Sequence, residues 1–109
     1  MAAFDDALAS AISALNKAGV SDPDHSLLSA VAKAAGPSLY SDDAKNVACS
    51  DEEEKKRVAA GFATKIGCED PGGAVEAVCE QMKAAGAHKH RAAFYYLLVK
   101  HAGAEASFR

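Results

Sequence analysis

The chain has 109 residues, a net charge of −3 and an isoelectric point of about 5.7. This length fits a single domain with one hydrophobic core, and the acidic balance argues against a dedicated nucleic-acid-binding protein. Half of the residues are hydrophobic, and an Ala-rich composition with few β-branched or aromatic residues favours helices over strands.

The first two helices are predicted from apolar periodicity and from residues that begin or end a helix. Apolar side chains recur at helical spacing over residues 4–18, and Gly19 can adopt the left-handed conformation that ends a helix. A capping residue followed by Pro23 predicts that the second helix starts within residues 21–24. The glycine and proline at residues 36–37 predict its end, because proline cannot continue a helix.

A connection and a capping motif separate the second helix from the third. Residues 38–49 hold a few apolar anchors around polar side chains, so we expect an irregular connection with room for at most a short sixth helix. Ser50 and Glu53 form a capping box, in which each side chain accepts a hydrogen bond from the other residue's amide. The third helix is therefore predicted to start at Ser50 and to end at Gly67.

The fourth helix is predicted to start at Asp70 and Pro71 and to end at Gly86. Asp70 supplies a capping side chain, and Pro71 fits the first helical position. Four apolar residues recur at the spacing of one helix face, which we expect to face the core. They are Val75, Val78, Cys79 and Met82.

The fifth helix is predicted over residues 88–102, with Gly103 as its stop. Residues 94–99 are the most apolar part of the chain, and a helix that is apolar on most of its faces has to be buried on most of them. We therefore expect the fifth helix to lie at the centre of the fold. Its predicted core residues are Phe94, Leu97 and Leu98.

Together these elements predict an all-α fold, a compact bundle of five helices in one domain. The domain is expected to cover residues 1–103, and residues 104–109 are expected to form a frayed tail. The longest apolar run is too short to span a bilayer, and the first residues lack the cationic start and apolar core of a secretory signal. A cytoplasmic location is therefore expected.

The three cysteines, Cys49, Cys68 and Cys79, are expected to be reduced thiols buried in the fold. An odd number of cysteines at wide spacing argues against a disulfide framework. Cys49 lies just before a helix start, which favours a reactive thiolate, but the carboxylates at residues 51–54 oppose one. A buried structural role is therefore favoured for each cysteine.

The main candidate for a functional surface is a run of cations without acids. Residues 81–104 contain no Asp or Glu, while cations and histidines gather around the start of the fifth helix. The helix dipole disfavours cations at a helix start, so a surface role explains these residues better than local stability does. The candidate interaction surface consists of Lys83, His88, Lys89, His90 and Arg91.

Two groups of potential metal ligands are considered and disfavoured. His88 and His90 are two residues apart, which turns them to different sides of a helix, and no nearby cysteine or acid completes a tetrahedral site. Exposed, solubilising histidines are expected instead. Glu76 and Glu80 share a helix face but lack the Glu-x-x-His motif of di-iron bundles, so a solvated acidic face is expected. No cofactor is expected.

Several segments of the chain resemble one family of small bacterial proteins. Residues 47–51 lead into a charged helix that closes at residues 65–67, and residues 78–83 and 91–98 continue the likeness. Together they resemble the family catalogued as domain of unknown function 2853, over residues 38–103. The resemblance implies a compact, all-helical bacterial cytoplasmic protein, and it implies no activity, cofactor or catalytic residue.

The function expected from these observations is that of a non-catalytic interaction or accessory module with an unidentified protein partner. The alternative is weak nucleic-acid binding, in which Lys83, Lys89 and Arg91 hold phosphates and tyrosines stack on bases. An enzyme is the third hypothesis, since no phosphate loop, nucleophile elbow or zinc motif is present in the sequence. The candidate stacking residues are Tyr40, Tyr95 and Tyr96.

Overall fold

Five helices are formed by the residues that the structure, a computed structural model, describes: residues 2–35, 49, 51–67, 69–84 and 90–103. In chain order they are α1 (Ala2–Lys17), α2 (His25–Ala35), α3 (Glu52–Val58), α4 (Pro71–Ala84) and α5 (Arg91–Ala102). A π-helical turn, called the π turn below, continues α3 directly over Ala59–Ala63. This architecture confirms the predicted all-α bundle.

Helix α5 is the centre of the fold, as predicted. Every residue from Arg91 to Val99 is buried, and the helix contacts α1, α2, α4 and the π turn. Phe94 and Leu98 are fully buried, and Leu97 is 5% exposed. Burial on every side explains why this segment is apolar nearly throughout rather than along one stripe.

Helices α1 and α2 both pack against α5. On α1, Ala11 and Leu15 are fully buried, whereas Leu8 and Ile12 are only partly buried. The buried face of α1 is therefore made in part by alanine, whose small side chain lets the helices lie close together. The buried residues of α2 are Leu27, Leu28, Val31 and Ala32.

The start of α2 lies two residues later than Pro23, the predicted first helical position. The helix begins at His25, and Asp24 caps it, because Asp24 Oδ1 accepts a hydrogen bond from the Leu27 amide at 3.1 Å. The Asp24 amide also donates to the Tyr96 hydroxyl at 2.9 Å. This contact ties the start of α2 to α5, and no local sequence pattern could show it.

Helix α3 is capped by Asp51, one residue after the predicted cap. Asp51 Oδ1 accepts hydrogen bonds from the Glu53 amide at 3.0 Å and from the Glu54 amide at 3.4 Å. The prediction gave the Glu53 amide to Ser50, which lies outside the described residues, so that assignment is wrong by one position. Asp is as good a cap as Ser, and its negative charge adds a favourable interaction with the helix dipole.

The π turn changes which residues after α3 face the core. A π-helical turn hydrogen-bonds residues five apart instead of four, and Val58 and Ala63, which are five apart, are both buried. Phe62 and Ile66, which follow Val58 at the four-residue spacing of one α-helix face, are only partly buried. The ring of Phe62 instead lies flat against the ring of Tyr95, with the centroids 4.0 Å apart.

Helix α4 begins as predicted. Asp70 Oδ1 accepts a hydrogen bond from the Gly73 amide at 3.2 Å, and Pro71 is the first helical residue. The carboxylate of Asp70 lies so close to Gly73 that a β-carbon at this position would collide with it, so glycine is needed for the cap in this geometry. The predicted core residues of α4 are all buried: Val75, Val78, Cys79 and Met82.

Helix α5 begins three residues later than predicted, at Arg91, and ends as predicted at Gly103, whose φ of 67° is left-handed. Some predictions fall outside the described residues. They concern the end of α2 at residues 36–37, the conformation of residues 38–48, the end of α4 at Gly86 and the tail at residues 104–109.

Candidate functional site

The predicted interaction surface is divided by the structure. Lys83, near the end of α4, is exposed, whereas His90 and Arg91 are only 8% and 7% exposed. His88 and Lys89 lie outside the described residues. The expectation that His90 and Arg91 belong to an exposed cationic surface is therefore wrong, because the fold provides both side chains with partners inside the protein.

Arg91 is neutralised by a carboxylate from α3. Its Nη2 donates to Glu54 Oε1 at 2.6 Å, and its Nη1 donates to the Tyr95 hydroxyl at 2.7 Å. The other Glu54 oxygen accepts a hydrogen bond from Arg57 Nη2 at 2.9 Å. The dipole of α5 opposes a cation in its first turn, and the charge-assisted hydrogen bond to Glu54 offsets this. These four residues are called the Glu54 cluster below.

The electrostatics of the Glu54 cluster keep its ions charged. Burial by itself raises the pKa of Glu54, but the hydrogen bonds from Arg57 and Arg91 outweigh burial and lower that pKa below its ordinary value. Burial likewise acts to lower the pKa of Arg91, and the hydrogen bond to Glu54 helps to raise it instead. An acid or base in catalysis needs a pKa near the working pH, so these shifts fit a structural ion pair.

Tyr95 joins the Glu54 cluster to the π turn. Its ring stacks on that of Phe62 with 9° between the planes, and the guanidinium carbon of Arg91 lies 5.5 Å from the centroid of the Tyr95 ring. Tyr95 is 9% exposed and Tyr96 is 2% exposed. Neither ring is open to a nucleic-acid base in this conformation, and Tyr40 lies outside the described residues.

His90 caps α5 instead of solubilising the surface. Its Nδ1 accepts a hydrogen bond from the Ala92 amide at 3.3 Å. A ring nitrogen that accepts a hydrogen bond carries no proton, so this cap requires Nδ1 to be deprotonated. The expectation of an exposed histidine is therefore wrong for His90, whose ring is part of the fold.

Cys49 and Cys79 form a disulfide, contrary to the expectation of reduced thiols. Their Sγ atoms are 2.14 Å apart and their Cα atoms 5.8 Å apart. The spacing of cysteines could not show this bridge, because the two residues are 30 positions apart and meet where α3 packs against α4. Cys79 is buried as predicted, but Cys49 is only partly buried. Cys68 lies outside the described residues.

Among the residues that the structure describes, two clefts border α4. One of about 240 Å³ lies between α3 and α4, beside the hydrogen bond of 2.6 Å from Lys55 Nζ to Glu76 Oε1, which raises the pKa of Lys55. The other, of about 470 Å³, lies between the start of α4 and the end of α5, and its ionisable lining residues are Glu69, Asp70 and His101. In the part of the chain that the structure describes, no group of three His, Cys, Asp or Glu residues could hold a metal.

The chain belongs to the family described as protein of unknown function DUF2853, whose model matches residues 10–106 of the 109 residues. This match confirms the resemblance found in the sequence and extends it into α1 and α2. No curated protein matches the chain. None of the helices, over the residues described, is long and apolar enough to cross a membrane. Because the family has no known function, a function has to be argued from the surfaces and the chemistry of the chain itself.

Proposed function

We propose that the chain is a non-catalytic interaction module of the bacterial cytoplasm that binds an acidic protein partner. The proposed binding surface is the end of α4 with the sequence that leads from it to α5. Lys83 is its described residue, and His88 and Lys89 are the further basic residues that the sequence places there. These three residues are called the α4-end surface below.

The proposal is supported by the way in which the fold uses its buried ionisable side chains. Arg91 donates hydrogen bonds to both Glu54 and Tyr95, and the Glu54 and Arg91 ions stay charged. No buried side-chain nitrogen or oxygen among the described residues lacks a hydrogen-bond partner. Catalytic sites typically bring polar groups with perturbed pKa values together in a cleft that substrate can enter. Here such groups hold helices together, which favours a function performed by the surface.

The charge pattern supports the choice of the α4-end surface. Arg91 is paired with Glu54 and is not exposed. The exposed lysines that the structure describes in the acid-free stretch 81–104 are Lys83 and Lys100. The end of α5 borders the start of α4 at the larger cleft. Lys83, near the end of α4, and Lys100, near the end of α5, therefore lie at opposite ends of this pair of helices. Lys83 is the one that has a second lysine nearby in sequence, and clustered cations steer an acidic partner toward a surface.

Charge reversal at the α4-end surface tests the proposal. The variant carries Lys83→Glu and Lys89→Glu, and the control carries Lys17→Glu and Lys33→Glu, the same change of net charge at exposed lysines of α1 and α2. Tagged proteins are cross-linked in the native cell, and the captured partners are quantified by mass spectrometry. We expect capture of the partner to fall about tenfold or more in the first variant alone, and capture by the wild type to weaken with salt.

Two results, one from this experiment and one from a separate binding test, would contradict the proposal. Equal capture by the variant and the control would exclude the α4-end surface as the binding site. Anisotropy of a labelled single-stranded oligonucleotide provides the second test, because phosphate binding is strongly salt-dependent. If the wild type binds the oligonucleotide, and both salt and the Lys83→Glu, Lys89→Glu variant remove this binding, nucleic acid replaces the acidic protein as the partner.

A further inference from the structure

We infer that the Cys49–Cys79 disulfide is a thiol-exchange site, at which a small thiol attacks the Cys49 sulfur and opens the covalent link between α4 and the residue three positions before α3. This inference does not depend on the α4-end surface or on its partner. It rests on the unequal exposure of the two sulfurs and on the charges that follow Cys49 in the chain.

The two cysteines differ in accessibility. Cys79 is 5% exposed and belongs to the buried face of α4, whereas Cys49 is only partly buried. The rate of exchange depends on which sulfur an attacking thiolate can reach. Cys49 is the more exposed of the two residues, so we take its sulfur as the point of attack and Cys79 as the leaving group.

The exchange proceeds in two balanced steps. A thiolate forms a bond to Cys49 Sγ, the bond between Cys49 and Cys79 breaks, and Cys79 leaves as a thiolate that takes a proton from water. A second thiolate then attacks the small-thiol sulfur of this mixed disulfide, which releases the oxidised small thiol and the Cys49 thiolate. The small thiols lose two electrons and the protein gains two. An oxidised small thiol restores the bridge by the reverse steps.

Acidic residues at the start of α3 determine which class of thiol reacts fastest. Asp51, Glu52 and Glu53 are exposed and begin two residues after Cys49. Their charges repel an anionic thiol such as glutathione and attract a cationic one such as cysteamine, over distances set by the ionic strength. We therefore assign small cationic thiols as the preferred reactants, with a preference that salt weakens.

Opening the bridge should loosen the third helix. The bridge closes the segment that contains α3, the π turn and the first part of α4, with a separation of 30 residues between the cysteines. Such a cross-link restricts the unfolded chain, so its reduction should lower the Tm by about 10 °C or more. Since Glu54 lies on α3, the thiol state of the protein would also control how firmly the Glu54 cluster is held.

Peptide mapping of a Cys68→Ser protein tests this inference, because this change removes the third thiol and keeps the pair. The protein is oxidised with oxidised glutathione, treated briefly with cysteamine or reduced glutathione, and quenched with acid. Trypsin cleavage after lysine then places Cys49 and Cys79 in different peptides. We expect the adduct on Cys49, faster reaction with cysteamine at equal thiolate concentration in low salt, and a lower Tm after full reduction. A Cys49→Ser, Cys68→Ser control should show no change of Tm on reduction.

Four results would overturn the inference. They are two free thiols after oxidation, an adduct mainly on Cys79, equal rates for the two thiols in low salt, and a Tm that reduction does not change. If Cys68→Ser does not fold, the mapping is repeated on the wild type, in which trypsin separates Cys49 from the peptide of residues 66–83. That peptide holds both Cys68 and Cys79, so its fragmentation in the mass spectrometer places any adduct on one or the other.

Discussion

Glu54 and Lys55, neighbours on helix α3, form ion pairs whose partners differ in burial. Glu54 meets Arg91 where the two side chains are 15% and 9% exposed. One residue further on, Lys55 pairs with Glu52 and Glu76, whose side chains are 73% and 56% exposed. Removing one partner of the Glu54–Arg91 pair leaves the other charge mostly away from water. If Lys55 loses Glu52 or Glu76, water can take the place of the lost carboxylate. The Lys55 side chain itself is only 12% exposed, so the partners of the two α3 residues differ in exposure, and not the α3 residues themselves.

This difference shows why charge in a sequence is a poor guide to a binding surface. Arg91 belongs to an acid-free stretch of the chain, yet its counter-charge comes from Glu54, 37 residues earlier. A cation that looks unpaired in sequence can therefore be the most firmly paired one in the fold. Lys83 keeps the exposure that a surface role needs.

Glu54→Gln should give the largest effect in this comparison. It keeps the size of the side chain but removes the carboxylate, so that Arg91 remains charged and mostly buried. We expect the free energy of unfolding in urea to fall by about 3 kcal/mol, the lower end for breaking a buried pair, because Glu54 retains some contact with water. Glu53→Gln, at an exposed neighbour, is the control and should match the wild type. If Glu53→Gln lowered the free energy of unfolding as much as Glu54→Gln, the burial of the Glu54–Arg91 pair would not explain the loss.

Tyr95→Phe sharpens the comparison within the Glu54 cluster. It removes the hydroxyl that accepts from Arg91 Nη1 and keeps the ring that stacks on Phe62. We expect a loss of about 1.5–3 kcal/mol in the free energy of unfolding, the usual range for a hydrogen bond to a charged group. Tyr96→Phe removes a hydroxyl that accepts from a neutral amide and should cost about 0.5–1.5 kcal/mol. A larger loss for Tyr96→Phe would show that the charge of Arg91 adds nothing to its bond with Tyr95.

Lowering the pH should reduce the difference in the free energy of unfolding between the wild type and Glu54→Gln. The pKa of Glu54 is lower in the folded protein than its ordinary value. Its contribution to stability is therefore fully present above an unfolded pKa of about 4.3 and is lost as the pH falls through the folded pKa. Unfolding experiments should show a constant gap from about pH 7 to pH 5 and a shrinking gap below about pH 4. A gap that stays constant down to the pH at which the wild type unfolds would contradict the lowered pKa.

Glu76→Gln should give the smallest effect. More than half of the Glu76 side chain is exposed, and Lys55 keeps Glu52 at 3.0 Å as a second partner. We expect a Tm within about 3 °C of the wild type, because exposed ion pairs contribute little. A scanning calorimetry experiment on this variant and on Glu54→Gln compares the two pairs directly. If Glu76→Gln lowered the Tm as much as Glu54→Gln does, burial would not explain the different contributions of the two ion pairs to stability.

The features that could be predicted from the sequence are those that neighbouring residues determine. The start of α4 follows from Asp70 and Pro71, which satisfy and shape the first turn locally. The end of α5 follows from Gly103, which takes a left-handed conformation. The central position of α5 follows from the apolar stretch at residues 94–99, because a helix without a polar face has to be surrounded.

The features that the sequence could not show depend on residues far apart or on closely matched local choices. Ser50 and Asp51 are comparable caps, and the position chosen depends on how α3 is placed. Cys49, just before α3, and Cys79, on α4, are 30 positions apart and meet only in the folded chain. Arg91 is not on the exposed surface that was predicted, because the fold pairs it with the distant Glu54. Glu54 is one of four consecutive acids, and no sequence motif marks it as the partner.

A double-mutant cycle between Glu54 and Arg91 tests most directly whether this pair belongs to the core. Glu54→Gln, Arg91→Met and the combined variant are compared with the wild type by urea denaturation. Glu54→Gln leaves the buried charge of Arg91 without its carboxylate, whereas Arg91→Met leaves Glu54 with Arg57 as its remaining cation. The combined change removes both charges of the buried pair. We expect a coupling energy of at least about 1 kcal/mol, with the combined variant losing less stability than the sum of the two single losses. Additive losses, with a coupling energy near zero, would contradict the account.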